Sequence, residues 1–351
     1  MNSRKFIILI TMFLASILLT GCFGINFPGG ETTNKTNDSD GIIITNTSNS
    51  TGLIIVNQTN ISVNTNQTEK PPVIEPEQNK TPGAHFNETP SERFAVYFIN
   101  VGDDSGNGDS IFIKRGDFDM LIDAGPTRNN GRVIDFLNRR GIDDIDILVS
   151  TNANEEEYGG MNAVLDTFTV EEFWWTGKSY GDSTYEAIVK KASDKGALVK
   201  TVKRGDALIL NGLNFQILNP KETSTFSDPG NNAIVTKIIN GDFCILLTAD
   251  ITSSASIDIS NKQNVTCSLL QLPNHGLGKG NINIDNFLLK VNPSYVFVSG
   301  GSYDPSPDGR GTRTPIFEKL NLRSIPYIEN YKTGTIKIES DGVSYSIETV
   351  D

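Results

Sequence analysis

The sequence predicts a mixed α/β module of two sheets covered by helices over residues 93–351, and three observations predict it. From Arg93 onward, strand-like apolar runs and helix-spaced apolar residues interleave to the end of the chain, without internal repeat. Glycine punctuates these elements at short intervals. The stretch also has 259 residues, ample for one packed core.

Taken in order, Phe94 to Val101 reads as a buried strand. Ser110–Ile113 and Asp119–Ile122 form a hairpin, with Arg115 to Phe118 as its turn. Val133, Ile134 and Leu137 give Asn130 to Arg140 a helical face, and Gly141 ends it. Asp146–Ser150 is a strand, and a short helix over Met161 to Phe168 follows Gly159-Gly160. A second helix over Tyr185 to Lys195 is capped by Ser183 or Thr184 and stopped by Gly196. Strand signals dominate from Leu198 to Asp250, including 207–210, 214–218, 233–239 and 243–247. The remainder mixes strands at 268–272 and 295–299, helices near 284–290 and 315–320, and a closing hairpin over 334–349.

The residues before this module are of a different kind. Arg4 and Lys5 precede an apolar run from Phe6 to Leu19, and Leu19-Thr20-Gly21-Cys22 reads as a lipobox. The run is shorter than the roughly 20 residues of a spanning helix. Residues 1–22 are therefore read as a lipoprotein export signal with lipid on Cys22. Residues 23–92 are crowded with Asn, Thr, Ser and Pro and read as a disordered tether, because they carry too little apolar surface to offset the entropy of ordering. Sequons recur there at Asn34, Asn37, Asn46, Asn49, Asn57, Asn60, Asn66, Asn79 and Asn87. Composition alone generates many of them, yet an exported flexible stalk is also where N-glycosylation acts. The expected location is the outer face of a prokaryotic cytoplasmic membrane, and an archaeal surface would suit a glycosylated stalk.

Within the module, Asn100-Val-Gly102 leads through Gly108-Asp-Ser110 to Leu121-Ile-Asp-Ala-Gly125. Then come Asp146-Ile-Leu-Val-Ser-Thr151 with Gly159-Gly160, Asn231-Asn-Ala-Ile-Val235, Gly241 to Asp250, and Leu272-Pro-Asn-His-Gly276. In order and spacing these segments resemble the metallo-β-lactamase superfamily. Within it they are most similar to the branch found as the extracellular domain of ComEC-type competence proteins and in free-standing relatives. The resemblance covers residues 94–345 and implies a four-layer αββα sandwich. It also implies one or two metal ions at the sheet edges, hydrolysis of phosphodiesters or other esters and amides, and, for ComEC domains, nuclease activity on DNA.

The ligand segments depart from that pattern. Where the branch reads roughly Thr-His-x-Asp-x-Asp-His-x-Gly-Gly, this chain has Thr151-Asn152-Ala153-Asn154-Glu155-Glu156-Glu157-Tyr158-Gly159-Gly160. The expected histidines are Asn152 and Glu157, and the expected aspartates are Asn154 and Glu156. The acidic residue that bridges two metals in relatives is retained as Asp250, and Pro-His-His-Gly has become Pro273-Asn274-His275-Gly276. The chain has only two histidines, and His85 lies in the tether. A zinc site of the family's kind therefore lacks its imidazoles.

Two readings follow. In the first the module is a pseudoenzyme without cofactor, a surface module that binds an unknown cell-envelope partner. In the second Glu156, Glu157, Asp250 and His275 hold a harder ion, Mn²⁺, Mg²⁺ or Ca²⁺, and a divergent hydrolase persists, with Asp250 and His275 its candidate catalytic residues.

Other features carry less. The chain inserts Asp103-Asp-Ser-Gly-Asn107 before Gly108, which reads as a polar loop rather than a calcium loop. Arg310 and Arg313, with Lys279, are candidates for a basic lip. The module nevertheless carries 25 basic and 34 acidic residues, which disfavours broad nucleic-acid binding. Trp174-Trp175 reads either as a stacking platform or as packing. Cys244 and Cys267 lie in strands that the resemblance brings close, as a disulfide or as two buried thiols.

Overall fold

The computed structural model describes residues 93–350, except 224–225, 279, 282 and 303–311, together with two short strands at 43–47 and 50–54. The leader with Cys22, the sequons other than Asn46, and Lys279 and Arg310 lie outside the described residues.

Eight strands open the first sheet. They are β1 (Ile43–Thr47), β2 (Ser50–Ile54), β3 (Phe94–Phe98), β4 (Ile111–Arg115), β5 (Phe118–Ile122), β6 (Asp144–Val149), β7 (Thr169–Trp175) and β8 (Leu198–Thr201). The next seven form the second sheet: β9 (Ala207–Leu210), β10 (Leu213–Asn219), β11 (Val235–Asn240), β12 (Phe243–Leu247), β13 (Leu269–Gln271), β14 (Tyr295–Val298) and β15 (Tyr327–Glu329). The chain then returns to the first sheet with β16 (Thr335–Ser340) and β17 (Tyr345–Val350), whose order is β2-β1-β17-β16-β3-β4-β5-β6-β7-β8.

Strands β1 and β2 fall inside the stretch read as a tether. Their β-branched residues supply backbone to the open edge of β17, in antiparallel register with Ile44 opposite Ile347.

The layers follow from side-chain alternation. Phe98, Ile113, Met120, Val149, Phe215, Ile245 and Phe297 fill the space between the sheets. The opposite face of the first sheet is covered by α1 (Asn130–Arg139), by α2 (Glu155–Tyr158) with α3 (Met161–Thr167), and by α4 (Ser183–Asp194). The second sheet is covered by α5 (Ser253–Lys262), α6 (Asp285–Val291) and α7 (Thr314–Leu322). A last turn, α8 (Asn330–Thr333), leads into β16. This is the four-layer αββα sandwich.

The differences from sequence are local. The cap of α4 is Asp182, whose Oδ1 accepts from the Thr184 and Tyr185 amides, so Ser183 and Thr184 lie inside the helix. Trp174 enters the core between the sheets, whereas Trp175 packs edge-on against Tyr185 in the outer layer. Adjacent strand residues face opposite ways, so the pair is packing and not a platform. Cys244 and Cys267 are joined as a disulfide, with Cα atoms 5.1 Å apart.

Strands β5 to β8 run parallel, so their carboxyl ends share one edge and their amino ends the other. At the amino edge the Asp119 amide donates to Asp146 Oδ2 at 2.6 Å. Burial, opposed by Lys114 and reinforced by Asp146 and Asp144, pushes the Asp119 carboxyl up to about 6. Burial, reinforced by Glu171 and Asp144, does the same to Asp146. The unfolded chain releases these protons near the ordinary value of 3.8, before the folded one does. Stability therefore falls as pH rises from about 4 to about 6 and changes no further above. Asp146→Asn is expected to be more stable than the parent at pH 7 by about 1 kcal/mol, after allowance for solvent screening of a half-exposed group. The gain should vanish near pH 4, read from urea midpoints at the two pH values.

Candidate metal centre

The carboxyl edge gathers the polar residues of the motifs. Asp123, directly after β5, accepts from the Thr151 amide at 2.9 Å and from Thr151 Oγ1 at 2.6 Å, which ties the ends of β5 and β6 together. Gly160 sits where an added Cβ would lie 2.1 Å from the Ala124 carbonyl oxygen, which explains the glycine and lets α2 approach this edge. Asp123, Ala249, Asn274 and His275 all have φ between +46 and +58. Non-glycine residues in the left-handed region are costly, and they cluster at sites that need side chains aimed against backbone preference.

Four side chains converge, His275 among them. Asp109 precedes β4, Glu157 sits on α2, Asp250 follows β12, and His275 lies in the 3₁₀ turn Pro273–Gly276 after β13. All four are buried, and one donor atom from each lies within 4.8 Å of the others. His275 Nε2 is 3.3 Å from Glu157 Oε1 and 3.3 Å from Asp250 Oδ1. Its Nδ1 is 3.1 Å from the Ser299 carbonyl oxygen and 3.5 Å from Asp109 Oδ1. A proton on Nδ1 shared with Ser299 leaves the Nε2 lone pair facing the carboxylates, the tautomer a metal ligand needs.

Each carboxylate is held by one oxygen and offers the other. Asp109 Oδ2 accepts from Gln271 Nε2 at 2.7 Å, and Gln271 Oε1 is fixed in turn by the Thr248 and Ala249 amides. Glu157 Oε2 accepts from the Asp109 amide at 3.0 Å. Asp250 Oδ2 accepts from Asn154 Nδ2 at 2.7 Å and from Asn152 Nδ2 at 3.2 Å. The remaining atoms, Asp109 Oδ1, Glu157 Oε1, Asp250 Oδ1 and His275 Nε2, are buried with no hydrogen-bond partner among the described residues.

Burial, with the charges of Asp250 and Asp109, holds the Glu157 carboxyl well above its ordinary range, and burial likewise raises Asp250. Burial alone would lower His275, but Asp109, Glu157 and Asp250 around it raise it well above its ordinary value. Three carboxylates around one imidazole leave an excess of negative charge that a divalent cation would offset.

The structure thus brings together three of the residues singled out from sequence, Glu157, Asp250 and His275, and adds Asp109. Glu156 stays on the rim, with Oε2 4.0 Å from His275 Nε2 and Oε1 accepting from the Asn107 amide. Asn152 and Asn154 bond to Asp250 rather than point at the cluster. The signal for Asp109 was its place between Gly108 and Ser110, where it appeared as motif and not as ligand.

The inserted loop is a cover. Asp103 is engaged by Arg128 at 3.2 Å and Asn129 at 2.6 Å, so its carboxylate serves the loop and not a calcium ion. Arg313 Nη2 donates to Asn107 Oδ1, and Arg313 Nε donates to the His275 carbonyl, both at 2.6 Å. Arg313 is buried in this brace and is not a lip exposed to solvent.

Comparison with known proteins places this geometry. No family model matches the chain. It is 24% identical over 255 residues to ComE operon protein 3 of Bacillus subtilis, covering 67% of this chain and 32% of that protein. It is 23% identical over 201 residues to competence protein ComA of Neisseria gonorrhoeae, covering 56% and 26% of the two chains. The chain therefore spans about a third or less of these relatives. Among solved structures, it is similar to the metallo-β-lactamase fold protein YhfI of Bacillus subtilis, with 11% identity and a TM-score of 0.49 over 71% of this chain and all of that one. In sequence the chain is similar to ComEC-type competence proteins, and its sandwich is of the metallo-β-lactamase kind.

In this ComEC-like module the donor set fits one ion and not two. An oxygen-rich set with a single imidazole suits a hard cation better than zinc. The outer oxygen of Asp250 is filled by two amide N–H donors. Asn154→Asp removes one of those donors and sets a second carboxylate beside Asp250. The metal-free variant is expected to lose on the order of 2 kcal/mol. Saturating Mn²⁺ should restore most of that loss, measured by denaturant midpoints with and without chelator.

Proposed function

We propose that this chain is an exported, lipid-anchored surface module that keeps the ComEC-like sandwich as a binding body and lacks two-metal hydrolysis. The single observation that carries the reading is the pair of amide N–H groups, from Asn152 and Asn154, on Asp250 Oδ2. They supply to the bridging carboxylate the positive partners that a second ion supplies elsewhere. The cover of Asn107 and Arg313 over the His275 turn supports the same reading, since a hydrolase must let substrate reach its ion. Asp109, Glu157, Asp250 and His275 would hold one hard cation. When bound, that ion would neutralise the cluster and tie the edges of the two sheets together.

The lipobox at Cys22 and the polar, sequon-rich tether support anchoring outside the cell. Among the described residues no helix is long and apolar enough to cross a membrane.

A second reading, a one-ion hydrolase, is favoured by the convergence of the four donors. The full chain in detergent separates the two. After dialysis against Mn²⁺, Mg²⁺, Ca²⁺ or Zn²⁺, it is expected to retain about one equivalent of a hard ion. Turnover of bis(p-nitrophenyl) phosphate should stay at the blank rate in every ion. Turnover that disappears in Asp250→Ala would overturn the proposal and establish the hydrolase.

A further inference from the structure

Beyond the acidic cluster, the carboxyl edge of the first sheet holds a second polar feature of opposite charge. Thr176 follows β7 and Thr201 ends β8, and a cleft of about 240 Å³ opens beside them. It is lined by these two threonines, Lys178, Lys203, Lys221 and Asn232. The carboxyl ends of parallel strands are where open α/β sheets bind ligands.

We infer that this lysine-lined cleft binds the phosphate group of a small phosphorylated ligand. Three lysines and one acidic residue, Glu222, line it, whereas the module as a whole is strongly acidic. The positive charge here is thus local, which is the condition for anion recognition on an acidic protein. Two of the three lysines have carboxylate partners. Lys203 pairs with Glu222, and these side chains are 44% and 74% exposed. Lys221 pairs with Asp258 at 3.0 Å, a carboxylate already shared with Arg204 and Lys262. The exposed Lys203–Glu222 pair contributes little, so a phosphate displaces it at small cost, whereas Lys221 keeps its partly buried partner and presents its charge from that network.

Asn232 closes the wall of the cleft, with its Nδ2 fixed by the Phe226 and Asp228 carbonyls. The cleft is smaller than the roughly 300–1,000 Å³ of drug-sized sites, which limits the ligand to a phosphate with a sugar-sized group.

The cleft uses none of the cluster's side chains, so the inference stands whether or not a cation binds there. Isothermal titration of the full chain in detergent tests it with inorganic phosphate, ribose 5-phosphate and ribose. Both phosphates are expected to saturate, ribose 5-phosphate more tightly, and ribose should give no binding. Affinity should fall as sodium chloride is raised. Lys203→Gln with Lys221→Gln should weaken ribose 5-phosphate about tenfold or more, while Lys190→Gln on α4 keeps the parental affinity. Phosphate binding without preference for the sugar phosphate would leave an anion site only and overturn the sugar-sized occupant. No saturation by about 10 mM, or an equal loss in Lys190→Gln, would overturn the site itself.

Discussion

Asp250 divides its two carboxylate oxygens between unlike environments, and the arrangement of this edge depends on that division. One oxygen is covered by amide donors from the β6 loop, and the other joins a buried group of acids around His275. A buried carboxylate is costly unless donors or cations surround it. Each loop that reaches this edge supplies one or the other. The β6 loop brings Asn152, Asn154 and Glu157, the turn after β13 brings His275, and Gln271 in β13 orients Asp109.

That requirement accounts for the local backbone. Four non-glycine residues adopt left-handed φ values within these loops, and one of them, His275, turns its side chain to the common centre by this means. The cover has the same logic in reverse. Asn107 Oδ1 accepts from both Arg313 and the Gly301 amide, so one side chain joins the inserted loop to the segments after β14 and before α7. Removing water from the cluster in this way strengthens every charge interaction inside it and raises the need for a compensating cation.

Sequence exposed the layers better than it exposed the donors. Apolar strand runs interleaved with helix-spaced residues made two helix-covered sheets readable from pattern, and the helix at 130–139 was readable for similar local reasons. The four-layer order and the closeness of Cys244 and Cys267, by contrast, came from the resemblance. Asp109 was not readable as a donor, because its role depends on Gln271, which is 162 positions away and rotates one of its oxygens out of the centre. The destination of Asn152 and Asn154 was equally hidden. An asparagine in a ligand position reads as a lost ligand, whereas here it is a hydrogen-bond donor to a ligand that remains. The lysine cleft draws on β7, β8 and β10 with residue 232, and no contiguous motif marks it.

The two features of this edge differ in how they bear on the fold. The acidic cluster links the sheets, since Asp109 and Glu157 belong to loops of the first and Asp250 and His275 to loops of the second. Whatever neutralises it binds the folded state alone, because the unfolded chain does not bring the four donors together. Binding there is therefore stability, by mass action. The lysine cleft has no such coupling. None of the cluster's four donors lines it, so filling it leaves the cluster as it is. A module built this way can separate the two tasks that a hydrolytic metal centre combines. On the proposed reading, a cation at one site would hold the sandwich closed and leave the other to recognise a ligand.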